Sequence, residues 1–204
     1  MAFSLNEWLS DADPVRSADA IFVLAGRENR KQYALELFHQ GLAPRILLSV
    51  ARFEIRRFSK LQLPVPLDLL KIAGDVPPPE RHFFVLFEDG GVEVKHVRPK
   101  RFGTLTEIES LARWLHKNPR ISSLLIISTG THLRRIRLCC QALLAKDVDV
   151  TLIAAPDSPS GANTSGDSAI KGTGTALIEL SKVLLYSVLL VFRRRSVSAD
   201  QAHS

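Results

Sequence analysis

The residues best placed to do chemistry sit in one short run, SLLIISTGTHLRRIRLCC, residues 123–140. A strand-like apolar stretch delivers Ser128, Thr129, Gly130 and Thr131 to what reads as a helix start. Hydroxyls and backbone N–H groups without helical partners make such a place a ready anion site. Thr131 reads as the N-cap. His132 and Arg135 are three residues apart, so on a helix they share one face and can reach one ligand. Arg134 is rotated away from that face, and Arg137 lies beyond it. Cations at a helix N-terminus oppose the local dipole, so the arginines are either solvated charges or holders of an anionic ligand. Under the second reading Arg135 binds the anion and His132 is the candidate catalytic residue, a general acid or base.

A second candidate is the run Ala25-Gly26-Arg27-Glu28-Asn29-Arg30. A glycine between a strand and a helix start lets the backbone approach a ligand, and Arg27 and Arg30 stand near to hold its charge. A tight turn carrying exposed arginines is the alternative. The run has neither the glycines of a Gly-x-Gly-x-x-Gly motif nor the lysine of a P-loop, which argues against dinucleotide and Walker-type binding. There is no Gly-x-Ser-x-Gly elbow, no His-Glu-x-x-His and no cysteine beside a plausible base. The two cysteines show no metal-ligand spacing, no residue is assigned as a metal ligand, and the sequence identifies no cofactor. The candidate acids are Glu28, Glu107, Asp157 and Asp167. Nothing in the sequence pairs any two of them, and Thr104-x-x-Glu107 has the spacing of a capping box.

The elements that must position these groups alternate. ADAIFVLAG reads as a strand, RENRKQYALELFHQ as a helix closed by Gly41, and PRILLSV as a second strand, the pattern of a parallel βαβ unit. Prolines at 64, 66 and 77–79 break any long helix in the middle of the chain. HFFVLFEDGGVEVKHV resembles a β-hairpin around residues 83–97, turning at Asp89-Gly90-Gly91. GTLTEIESLARWLHK is a helix, SSLLIIS a buried strand, HLRRIRLCCQALLAK a helix and VDVTLIAA another strand. Residues 156–175 form a long polar loop, and a last helix over 176–192 ends at Arg193-Arg194-Arg195. The expected fold is α/β: a Rossmann-like, doubly wound, mostly parallel sheet with helices on both faces. Ligands of such sheets bind beyond the carboxyl ends of the strands, where strand order reverses. The chain is expected to divide into a leader segment (1–18), a single domain (18–192) and a polar basic tail (193–204).

Composition bounds the partners. The 204 residues are 46% hydrophobic and 24% charged, ordinary for a globular protein with a real core. The net charge of +6, from 27 basic and 21 acidic residues, favours a small anionic ligand or an acidic surface. Nucleic acid is not an expected partner, because the basic residues are scattered without interleaved aromatics. The run VLLYSVLLVF is shorter than the roughly 20 residues that a spanning helix needs, so no spanning segment is expected. Peripheral membrane contact through the basic end of the last helix is the alternative to small-ligand binding. No standard signal peptide is visible, and the adjacent Cys139 and Cys140 cannot pair with each other, which fits a reducing, cytoplasmic setting.

The order DAIFVLAG, an arginine in the first helix, APRILLS, a Thr-led helix and then S-x-x-x-H-x-x-R resembles the YdcF-like family, which includes the SanA and ElyC branches of bacterial envelope proteins. The resemblance covers roughly residues 18–192. Gly26, Arg30, Ser49, Thr104, Ser128, Thr129, His132 and Arg135 match or nearly match that family's motifs. Ala25 replaces one glycine of the first loop, Val50-Ala51 a glycine after Ser49, and Thr131 a tyrosine. The acidic residue that usually precedes the third motif is not recognisable in HVRPKRFGT. The resemblance implies a Rossmann-like fold, a polar site at His132 and Arg135, and a phosphate- or nucleotide-bearing ligand linked to cell-envelope metabolism.

Overall fold

The computed structural model describes residues 12–99, 103–156 and 181–183. Their frame is one six-stranded sheet in the order β4-β3-β2-β1-β5-β6. The strands are β1 (Ala20–Val23), β2 (Arg45–Ala51), β3 (His82–Glu88), β4 (Gly91–His96), β5 (Ser123–Ser128) and β6 (Asp149–Ala154). β1, β2, β5 and β6 run parallel, while β3 and β4 form an antiparallel hairpin that extends the sheet beyond β2. The α/β class is as expected, and the hairpin lies within a residue of its expected place. Asp89 and Gly90 both have positive φ, 50° and 73°, the signature of the tight two-residue turn that Asp-Gly favours.

The helices are α1 (Glu28–His39), α2 (Ile55–Phe58), α3 (Leu69–Gly74), α4 (Gly103–Lys117) and α5 (Leu133–Leu143). Gly41 closes α1 at φ 79°. Its N–H donates to Phe38 O at 2.9 Å and the Leu42 N–H to Leu37 O at 3.2 Å, the pair of bonds that ends a helix on a left-handed residue. The proline-rich middle holds only the short α2 and α3 and one 3₁₀ turn, Pro78–Glu80, as the breakers require.

Because strand side chains alternate, each buried strand feeds two cores. Ile21, Val23, Ile46, Leu48 and Ile127 pack with Ala34, Leu35 and Leu37 of α1 and with Ile55 and Phe58 of α2. On the opposite face Phe22, Leu47, Leu124 and Ile126 pack with Ile108, Leu111 and Trp114 of α4 and with Leu133 and Ile136 of α5. β1 lies between the two halves. The chain builds outward from it through β2, β3 and β4, then returns to lay β5 on its other side. Asp19 pins that junction, accepting from the N–H groups of Ser122 at 2.8 Å and Ser123 at 2.9 Å and from both of their hydroxyls.

Residues 12–18, expected as part of the leader segment, dock in part on the outer edge of β6. The Asp13 N–H donates to Leu152 O at 2.8 Å, and its carboxylate accepts from the Leu152 N–H at 2.7 Å and from Arg137 at 3.1 Å. Arg137, one of the three clustered arginines, is thereby assigned to holding this segment. The long loop, the last helix and the basic tail lie outside the described residues, apart from Pro156 and the helical residues 181–183. Among the described residues no helix is long and apolar enough to cross a membrane.

Cys139 and Cys140 are buried in the α5 core. Burial pushes both thiols up, Cys139 to about 12. A thiol reagent at pH 8 is expected to leave both unmodified in the folded protein and to label both in urea, because the thiolate is the nucleophile. Labelling of the folded chain would contradict this packing.

Candidate functional site

Gly26, Arg30, Ser128, Thr129, Gly130 and His132 lie where the parallel strands β1 and β5 end and the next helices begin. Ser49 lies within β2 and Thr104 on the first turn of α4, and the candidate acids Asp157 and Asp167 lie outside the described residues. β1 ends at Val23, and the chain turns through Ala25 and Gly26 into α1. Ala25 is held at both ends of its backbone. Its N–H donates to Glu107 Oε1 at 2.7 Å, and its carbonyl accepts from the Arg30 guanidinium at 2.8 Å. Arg30, on the first turn of α1, is only 4% exposed. Its other terminal nitrogen donates to Thr129 Oγ1 at 2.9 Å and meets His132 Nδ1 at 2.9 Å. A guanidinium has only donors, so in this contact Nδ1 accepts. Gly26 is glycine because of this arrangement. At φ 148° a Cβ would stand 2.5 Å from an Arg30 terminal nitrogen.

β5 delivers Ser128, fully buried, and then Thr129. Gly130–His132 form a 3₁₀ turn before α5 starts at Leu133. His132, and not Thr131, therefore occupies the cap position, and its side chain does not cap the helix. The expected Thr131 cap is displaced because Thr131 already lies inside the 3₁₀ turn that leads into α5. Arg135 is buried and donates to Thr104 Oγ1 at 3.3 Å, joining the starts of α4 and α5. It is close enough to Arg30 for the two cations to repel. Arg27 is exposed, and Arg134 is half-buried.

Beneath this layer lies a second polar layer that the sequence motifs did not reveal. Lys31, 2% exposed, is ion-paired with Glu54, whose other oxygen accepts from the Ala51 N–H at 3.0 Å. Burial lowers the Lys31 ammonium, opposed by Glu54. Ser49 Oγ is 2.7 Å from His82 Nε2, and that nitrogen is 4.0 Å from Glu107 Oε1. The Ser49 hydroxyl also bonds the Glu107 carboxylate. Glu107 thus turns into the protein toward β1 and β2. The capping-box spacing misleads because the carboxylate finds the Ala25 N–H and Ser49 there.

Burial raises Glu107 to about 6, against the hydrogen bonds from Ser49 and Ala25, and lowers His82 to about 4, aided by Lys31. The two act on stability in opposite senses. Between about pH 4.5 and 6 the native state holds a Glu107 proton that the unfolded chain has released, so this contribution is lost as pH rises. Between about pH 6.5 and 4 the unfolded chain binds a proton at His82 that the native state refuses, so stability there is lost as pH falls and regained as it rises.

The structure therefore brings Gly26, Arg30, Thr129 and His132 into one cluster, with Arg135 and Thr104 joined beside it. Gly130 supplies backbone at the turn. Ser49 belongs to the deeper layer with Glu107 and His82. Lys31 carried a readable signal, since it shares the core-facing side of α1 with Ala34 and Leu35. His82 and Glu54 stand in stretches whose pattern gave none. A separate groove of about 760 Å³ lies between the hairpin and α4, floored by Leu47, Phe84 and Trp114. The shifted groups Arg30, Lys31, His82 and Glu107 instead gather around the ends of β1 and β2, a combination that functional sites often show. The chain matches no family model, no curated protein and no solved structure.

Proposed function

We propose that the chain is a Rossmann-like, doubly wound α/β domain, a diverged relative of the YdcF-like family. In this reading it binds a small phosphate- or nucleotide-bearing anion at the ends of β1 and β5. The observation that carries the reading is Arg30. Its guanidinium is buried, and among the described residues no carboxylate forms an ion pair with it. Its Nε has no partner there, and neither does the Ser128 hydroxyl on the neighbouring strand end. A buried charge requires compensation, and a bound anion supplies it. Strand order reverses between β1 and β5, the usual ligand position in open parallel sheets.

In this assignment Arg30 and Arg135 bind the anion, Thr129 and Ser128 supply hydroxyls, and Gly26 admits the backbone. His132, in contact with Arg30, is the acid or base for any turnover. Calorimetric titration with inorganic phosphate and with a nucleotide-sugar tests it. Arg135→Ala is expected to weaken binding by about 1.5–3 kcal/mol, the scale of a charge-assisted hydrogen bond. Arg134→Ala should change affinity much less, and His132→Ala should abolish any turnover while retaining part of the binding. Equal affinities for wild type and Arg135→Ala would leave the arginines as charges without a ligand.

A further inference from the structure

Glu107 stands directly behind the proposed anion site and shares a residue with it. The Ala25 N–H donates to Glu107 at 2.7 Å while the Ala25 carbonyl accepts from Arg30 at 2.8 Å. The groups that face the carboxyl come from several elements. They are Arg30 and Lys31 of α1, Glu54 at the start of α2, Ser49 of β2 and His82 of β3. Arg135 and His132 lie across Arg30. We propose that Glu107 is the proton-exchanging group of this site and takes up one proton when an anion occupies it. This deepens the anion-binding reading and rests on it.

The physical reason is charge compensation. Arg30 and Lys31 favour the ionised carboxylate, as the mutual effects of these groups record. An anion bound at Arg30 takes over part of that positive charge and adds a like charge nearby. A carboxyl in a low-dielectric interior responds by neutralising. Burial has already brought Glu107 to about 6, so one further unit carries it to neutral pH.

Ser49 makes both protonation states satisfiable. With Glu107 ionised, the Ser49 hydroxyl donates to it and accepts from His82 Nε2–H. With Glu107 protonated, the acid O–H donates to Ser49 Oγ, and the Ser49 hydroxyl turns to donate to His82 Nε2, the proton on that ring then standing at Nδ1. Burial, which lowers His82, keeps the ring neutral and able to serve in either tautomer. The added proton comes from solvent, and no bond between heavy atoms is made or broken.

Sulfate is the probe, because it does not titrate near neutral pH. It is titrated calorimetrically into the full chain at pH 7 in buffers of different ionisation enthalpy. The expected result is uptake of about 0.4 to 0.9 proton per sulfate, the lower figure for a rise of one unit from about 6. Affinity should fall as pH rises, by up to about tenfold per pH unit between the carboxyl's values in the empty and filled states. Glu107→Gln should bind sulfate without proton uptake and with little dependence on pH. Uptake that persists in Glu107→Gln would assign the proton to His132 and overturn the proposal while leaving the anion site intact. Sulfate binding to wild type without proton exchange would do the same. No binding by wild type would overturn both readings. If Glu107→Gln fails to fold, infrared difference spectra of glutamate-labelled wild type decide the question. A carboxylic-acid C=O band gained on adding sulfate supports the proposal, and its absence overturns it.

Discussion

Lys31→Met is expected to destabilise the protein by about 3–5 kcal/mol, the usual cost of removing one partner from a buried ion pair. The loss does not come mainly from the attraction itself. Lys31 is 2% exposed and Glu54 7%, so the variant leaves a carboxylate in the interior with only the Ala51 N–H to hold it. Glu54→Leu should be comparably harmful, because it strands the ammonium. Replacing both should recover most of the stability, since well-packed apolar residues often match or exceed a buried pair. Urea unfolding of the two single variants and the double variant gives the coupling directly. Single-variant losses under about 1 kcal/mol would mean that water reaches the pair. The double variant also asks what the pair is for. If it folds well but no longer binds phosphate, Lys31 and Glu54 are there to set the charge beneath Arg30.

Gly26→Ala is expected to reduce phosphate affinity by at least about tenfold, or about 1.4 kcal/mol, while leaving a folded protein. The added Cβ would lie 2.5 Å from a terminal nitrogen of Arg30 and 2.8 Å from its central carbon, so the guanidinium has to move. That nitrogen donates to the Ala25 carbonyl, and its twin bonds Thr129 and His132, so the displacement breaks the cluster at its centre. The φ of 148° adds strain of about 1–3 kcal/mol for a residue with a side chain. Gly41→Ala is the control. Its φ of 79° is similarly strained, but the space around it is open and it lies at the far end of α1. A stability loss in both variants with an affinity loss only at Gly26 isolates the role of Arg30. Unchanged phosphate affinity in Gly26→Ala would separate Arg30 from binding.

Much of the frame was legible because hydrophobic periodicity reports burial. β1, β2, β3 and β5 are runs of apolar residues bounded by turn formers, and α4 carries Ile108, Leu111 and Leu115 at helical spacing. The turn at Asp89-Gly90 was readable from its backbone demands. The upper layer of the site was legible for a related reason: Gly26, Ser128, Thr129 and His132 sit at strand-to-helix junctions, which local sequence marks. The lower layer was not. Glu107 has a local partner at the right spacing in Thr104, and only the approach of β1 shows that the Ala25 N–H claims it instead. His82 opens a strand as any polar boundary residue does, and its burial depends on Ser49 of the neighbouring strand. Such identities are set by contacts distant in sequence, and no window of neighbouring residues contains them.

The central pairing of the sheet has a consequence in time. Ala20 of β1 lies beside Leu124 of β5, so the two strands meet only after a loop of roughly a hundred residues has closed. The β3–β4 hairpin and the β1-α1-β2 unit need much shorter closures, and local contacts form earlier than distant parallel ones. Arg30 stands on the early side of that junction, and Thr129 and His132 on the late side. During synthesis, residues 20–51 emerge well before β5 exists, with Arg30 and the β1 edge still waiting for it. The Arg30–Thr129–His132 cluster is therefore a late product of folding, and the β1 edge is the surface most open to wrong partners until β5 arrives.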